Sequence, residues 1–132
     1  MNSVTGMPRS LLRIEGLMVF VASLFLYLRL DGSWVRFVVL FLAPDLSFGG
    51  YLGGNRLGAY VYNAAHSYVL PIVLGLIGIL LDSSRLLEFA FIWTAHIGLD
   101  RLLGYGLKYP TSFRETHLGL LGREARSAAG VP

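Results

Sequence analysis

Residues 57–81 read LGAYVYNAAHSYVLPIVLGLIGILL, 25 residues without a formal charge. At about 1.5 Å of rise per residue, a helix of that length crosses a hydrocarbon core of about 30 Å with room to tilt. Its second half is aliphatic. Its first half carries Tyr60, Tyr62, Asn63, His66, Ser67 and Tyr68, so polarity gathers at one end. Asn63 and His66 share a helical face, and Pro71 is expected to kink the helix beyond them.

Three more apolar segments flank this one. The first, Leu11 to Leu30, follows Arg9 and Arg13 but no small-residue cleavage site comes after it, so it reads as a retained helix. Glu15 at its start suits a helix N-terminus. The second begins at Trp34 and its clean apolar run stops at Ala43. It reaches crossing length only by continuing through Pro44, Asp45 and Leu46 to Leu52, with Pro44 as a kink. After the Asp82–Arg85 hairpin, the fourth segment runs from Leu86 to about Gly106 and contains His96 and Asp100. The expected fold is all-α, an integral membrane four-helix bundle. Residues 1–122 form one transmembrane domain in this reading, and 123–132 form a poorly ordered cytoplasmic tail.

Composition agrees with the membrane class. Hydrophobic residues make up 55% of the 132 and charged residues 14%, against roughly 25% charged in ordinary soluble domains. The absence of cysteine excludes disulfide frameworks and thiolate metal sites. The net charge of +3 is spread over loops and termini, with no concentrated basic face for a nucleic acid. Four crossings put both termini on one side together with Arg9, Arg13, Arg56, Arg101, Lys108, Arg114, Arg123 and Arg126. The opposite side has Arg29, Arg36 and Arg85. The positive-inside rule makes the richer side cytoplasmic, as for a multi-pass protein of a bacterial inner membrane. Membrane lipids are its expected surroundings, and so small a bundle is compatible with a homodimer.

Charged and imidazole side chains inside apolar segments are expensive, and four of them share a depth. Asp45 and His66 lie about nine and eleven residues either side of the Asn55 turn, and Asp100 and His96 lie eight and twelve residues before Lys108. At about 1.5 Å per residue all four fall roughly 12–18 Å from the cytoplasmic boundary. His96 and Asp100 are one helical turn apart. Two imidazoles and two carboxylates suit a divalent metal such as Zn²⁺ or Mn²⁺, with Fe²⁺ also compatible. An ion held there would activate a water for hydrolysis, making Asp45, His66, His96 and Asp100 both metal ligands and catalytic residues. Asp45, which follows the kink and has no local histidine to orient, is the carboxylate expected to bind most directly. Arg101 and Lys108 are expected to hold an anionic group of the substrate. The same four residues also suit a proton relay in a small transporter. A metal-free network that fixes helix packing in a non-catalytic partner subunit is the third reading. His117 reads as a surface or cap residue, and Trp34 and Trp93 as interface and packing residues.

Three motifs carry a family resemblance: Ala43-Pro44-Asp45-Leu46-Ser47, Tyr62-Asn63-Ala64-Ala65-His66, and Ala95-His96-Ile97-Gly98-Leu99-Asp100-Arg101 continuing through Gly104-Tyr105-Gly106-Leu107-Lys108-Tyr109-Pro110. Together, from about Arg13 to Gly119, they resemble a family of small bacterial integral membrane proteins known as domain of unknown function 4260. That resemblance implies the membrane class and no established activity. A more distant similarity, in residue type and segment only, is to bacterial inner-membrane metal-dependent hydrolases. It implies the same four residues as candidates.

Overall fold

The computed structural model describes residues 3–121, and the expected tail over 123–132 lies outside them. Helix α1 spans Gly6–Arg29 and α2 spans Trp34–Phe41. A 3₁₀ segment covers Ala43–Gly53, followed by α3 (Asn55–His66), α4 (Val69–Leu80) and α5 (Ser84–Leu103). A small hairpin of β1 (Glu115–Thr116) and β2 (Gly119–Leu120) follows, with Thr116 opposite Gly119. The four expected segments are therefore α1, α2 with its 3₁₀ extension, α3 with α4, and α5.

The stretches Gly6–Arg29, Trp34–Gly53 and Asn55–Leu80 are long and apolar enough to cross a membrane. Their outer surfaces are apolar in kind: Leu52 is 96% exposed and Leu46 82%. Such a surface is stable where hydrocarbon, not water, is the solvent. Helix α5 is 20 residues long but carries Arg85, Glu88, Asp100 and Arg101. It sits against α1, α2 and α4, which enclose Glu88 and Arg101 and partly cover Asp100, while Arg85 at its start is exposed.

Helices α1 and α5 approach closely because both lack side chains at the crossing. A Cβ on Gly16 would lie 2.6 Å from the Gly98 carbonyl oxygen, and one on Gly98 would lie 2.7 Å from that of Gly16. This is small-residue packing, in which backbones meet directly. Beside it, Tyr27, Phe37, Ile92 and Ala95 form the core between α1, α2 and α5.

Two breaks differ from a plain four-rod bundle, and proline explains both. Pro44 lacks an N–H and crowds the preceding turn, so the second segment continues beyond α2 as a 3₁₀ helix, not as a kinked α-helix. In the third segment the break lies at Ser67–Tyr68, with Ser67 extended at φ −98°, ψ 155°. Pro71 sits in the first turn of α4, and its ring would clash with the carbonyl of residue 67, four positions back. The interruption therefore precedes the proline, and His66 becomes the last residue of α3.

Candidate metal centre

Ending α3 at His66 leaves carbonyls without helical partners, which the bilayer core cannot satisfy with water. The fold fills them with side chains. The Trp93 indole N–H donates to the Ala65 carbonyl at 2.6 Å, and Arg101 Nη2 donates to the His66 carbonyl at 2.6 Å. Arg101 Nη1 reaches the Tyr105 carbonyl at 2.9 Å. His66 Nδ1 lies 3.0 Å from the Tyr62 carbonyl, one turn back, with Ser47 Oγ at 3.5 Å. A proton on Nδ1 donated to that carbonyl leaves the lone pair on Nε2. The Tyr62 ring stacks on the imidazole at a centroid distance of 3.8 Å and fixes its plane.

The four residues singled out by depth converge. His96 Nε2 and His66 Nε2 are 3.2 Å apart. Asp45 Oδ1 lies 3.4 Å from His66 Nε2 and 3.3 Å from His96 Nε2. Asp100 Oδ2 lies 3.5 Å and 3.4 Å from the same two nitrogens. All four donor atoms fall within 4.8 Å of one another. Each carboxylate thus faces both imidazoles at similar distances. His66 and His96 are buried, whereas the Asp45 side chain is 43% exposed, so the cluster is open on the side of the 3₁₀ segment.

These separations can be set against the lengths of hydrogen bonds and of ligand pairs around an ion. Charge-assisted hydrogen bonds draw heavy atoms to about 2.7–2.9 Å. Ligand bonds of about 2.0–2.1 Å to one ion place tetrahedral donors about 3.3–3.4 Å apart. Five of the six donor pairs lie between 3.2 and 3.5 Å, and the two carboxylates lie within 4.8 Å of each other. The donor set, two nitrogens and two carboxylate oxygens, can hold a borderline divalent ion. His96 Nδ1 is buried and makes no hydrogen bond of good geometry.

The other expected residues lie nearby but have partners of their own. Arg101 is buried, and its two terminal nitrogens are taken up by the His66 and Tyr105 carbonyls. Lys108 is 4% exposed. Its Nζ donates to the Phe113 carbonyl at 3.0 Å and lies over the rings of Phe113, Tyr62 and Phe48. Burial pushes the Lys108 pKa down to about 8, against the Asp100 charge, which raises it. Asn63 clamps the Lys108 backbone, accepting from its N–H at 2.7 Å and donating to its carbonyl at 2.8 Å. His117 Nδ1 accepts the Leu107 N–H at 2.8 Å, and the His117 carbonyl accepts the Val4 N–H at 2.8 Å. Glu15 lines a separate cavity of about 470 Å³ together with Arg101, Tyr68 and His117. Trp93 and Tyr62, which hold His66 from behind, were not singled out as site residues by the sequence. Tyr62 carried the usable signal, standing one turn before His66.

A family model described as a domain of unknown function, DUF4260, matches residues 9–121. No curated protein and no solved structure matches the chain. The chain belongs to the DUF4260 family.

Proposed function

We propose that this member of the DUF4260 family binds one divalent ion through Asp45, His66, His96 and Asp100. The protein then uses that ion to hydrolyse a membrane-borne ester or phosphoester. The observation carrying the reading is the set of five donor separations of 3.2–3.5 Å around one point. Those lengths suit ligands to a common ion and are long for the proton-sharing contacts of a relay.

A divalent ion here would lower the pKa of a bound water toward about 7 and polarise a carbonyl or phosphoryl oxygen. Four protein ligands close a tetrahedron, so a reactive position needs a fifth ligand or release of one carboxylate. Asp45 is the group suited to yield, being the more exposed carboxylate and mounted on the 3₁₀ segment. Zn²⁺ is compatible with expansion to five ligands, and Mn²⁺ with six. Arg101 supports the site by fixing His66 through its carbonyl and is not assigned a substrate anion, nor is Lys108.

The protein is placed in a bacterial inner membrane with both termini cytoplasmic, a reading supported by the basic-residue count and by the Val4–His117 hydrogen bond. Reporter fusions at Ser3 and within Asp82–Arg85 should therefore read on opposite faces.

Elemental analysis of the detergent-purified full chain tests the central claim. About one Zn or Mn per chain is expected, falling to background in His66→Ala and His96→Ala chains that remain helical by circular dichroism. Metal-free wild-type protein, after reloading with Zn²⁺ and Mn²⁺ has been attempted, would overturn it.

A further inference from the structure

A second cavity of about 370 Å³ lies beside the cluster, between the second segment, α4 and α5. Leu40, Pro44, Ala65, Leu74, Ile92 and Trp93 line it. Its volume lies in the range of small-molecule pockets, yet its wall offers few polar side chains. One of them is Ser47, whose Oγ is also 3.5 Å from His66 Nδ1, so the hydroxyl marks the end of the cavity that meets the cluster. Other wall residues adjoin the candidate ligands directly: Pro44 precedes Asp45, Ala65 precedes His66, and Ile92 stands one helical turn from His96.

The cavity also opens outward. Val39, Leu42 and Val73, which neighbour the lining residues in sequence, are 63%, 60% and 46% exposed. In a bilayer that surface is surrounded by hydrocarbon. We infer that the cavity receives one acyl chain of a membrane phospholipid drawn below its ordinary level, so that its headgroup end reaches the Asp/His cluster roughly 12–18 Å inside the boundary. This rests on the hydrolase reading and names its substrate class. A tail leaving the bilayer for an apolar cavity gains little hydrophobic free energy, because both surroundings are apolar. The cavity therefore supplies position, and the preference for one lipid over another comes from the headgroup at the ion.

The chain has two tryptophans, so Trp34→Phe leaves Trp93 as a reporter in the cavity wall. The full Trp34→Phe chain is reconstituted in phosphatidylcholine vesicles with rising fractions of a phosphatidic acid brominated along one chain. Trp93 quenching should saturate with about tenfold enrichment over the bulk fraction. Adding Ala43→Phe or Leu74→Phe, which fill the cavity without touching a candidate ligand, should make quenching proportional to the bulk fraction. Quenching that is proportional in the Trp34→Phe chain itself, as for bulk lipid contact only, overturns the inference. Metal content is measured on the same samples. An ion present with proportional quenching removes the cavity assignment alone. Saturable quenching without an ion, and unchanged by chelator, removes the hydrolase reading and leaves a tail-binding site.

Discussion

Arg36 and Glu88 join α2 to the first turns of α5, while Asp45, His66, His96 and Asp100 join the 3₁₀ segment and α3 to its last turns. Both groups put charge inside an apolar bundle. Arg36 and Glu88 neutralise each other by direct contact, one cation against one anion, with Glu88 buried. The second group has two carboxylates facing two imidazoles, and the Arg101 guanidinium beside them is turned to carbonyls. A closed pair is what helix packing alone requires. Two carboxylates around a common point can accept a positive charge from outside the chain, which is the ion of the proposed reading.

The sharpest way to break this contrast is to truncate one imidazole. His96→Ala should abolish metal binding, whereas Glu88→Gln should leave metal per folded chain unchanged, both read by elemental analysis. Asp45→Asn and Asp100→Asn should each weaken binding by more than about 100-fold, beyond the range of losing a supporting group. Asp100 should matter more, since water can replace the more exposed Asp45. Equal metal content in all these chains would erase the distinction between the two groups.

The converse experiment targets stability. Glu88→Gln leaves the Arg36 guanidinium unpaired and should destabilise the fold by on the order of 3 kcal/mol, with much of that recovered in the Arg36→Met, Glu88→Gln double variant. Thermal unfolding in detergent measures both. No loss in the single variant would mean that the pair is already wet.

Arg101 links the two kinds of behaviour. Arg101→Leu should lower metal affinity by about 10–100-fold through a loosened His66, without changing stoichiometry at saturation. An unchanged titration would show that the His66 carbonyl finds another partner.

The smallest effect is expected outside the membrane, at His117. Burial first, then the nearby Arg101 charge, hold its pKa below the ordinary 6.5. The unfolded chain therefore binds more protons in the window just below 6.5, so stability is lost as pH falls through it and is flat above. The Leu107 amide, which donates to His117 Nδ1, should lose exchange protection on acidification, after correction for intrinsic rate. The same acid response in His117→Asn would assign the effect elsewhere.

The candidate cluster was legible because depth in a bilayer is a one-dimensional coordinate that residue counting recovers. Asp45, His66, His96 and Asp100 needed only segment ends and a rise per residue. Their support was not legible in the same way. That Pro71 displaces the break to Ser67 depends on a clash four residues back. That Arg101 then takes the freed His66 carbonyl depends on how α5 lies against α3. Lys108 reads from sequence as a cation at the boundary, and only the fold surrounds it with Phe48, Tyr62 and Phe113. The hairpin strands are two residues each, too short for a period-2 pattern to register.

The enclosure of α5 by α1, α2 and α4 also bears on how the chain is made. Asp, Lys or Arg at the centre of a lone helix opposes release from the translocon by about 2.5–3.5 kcal/mol each, and α5 carries several ionisable groups. Its shelter is synthesised before it: the three apolar stretches emerge from the ribosome first. The order of the segments thus lets the least lipid-compatible helix dock against partners already made. Until it docks, Asp45 and His66 are without the His96 and Asp100 that complete their group, so the four-residue cluster assembles only once α5 is in place.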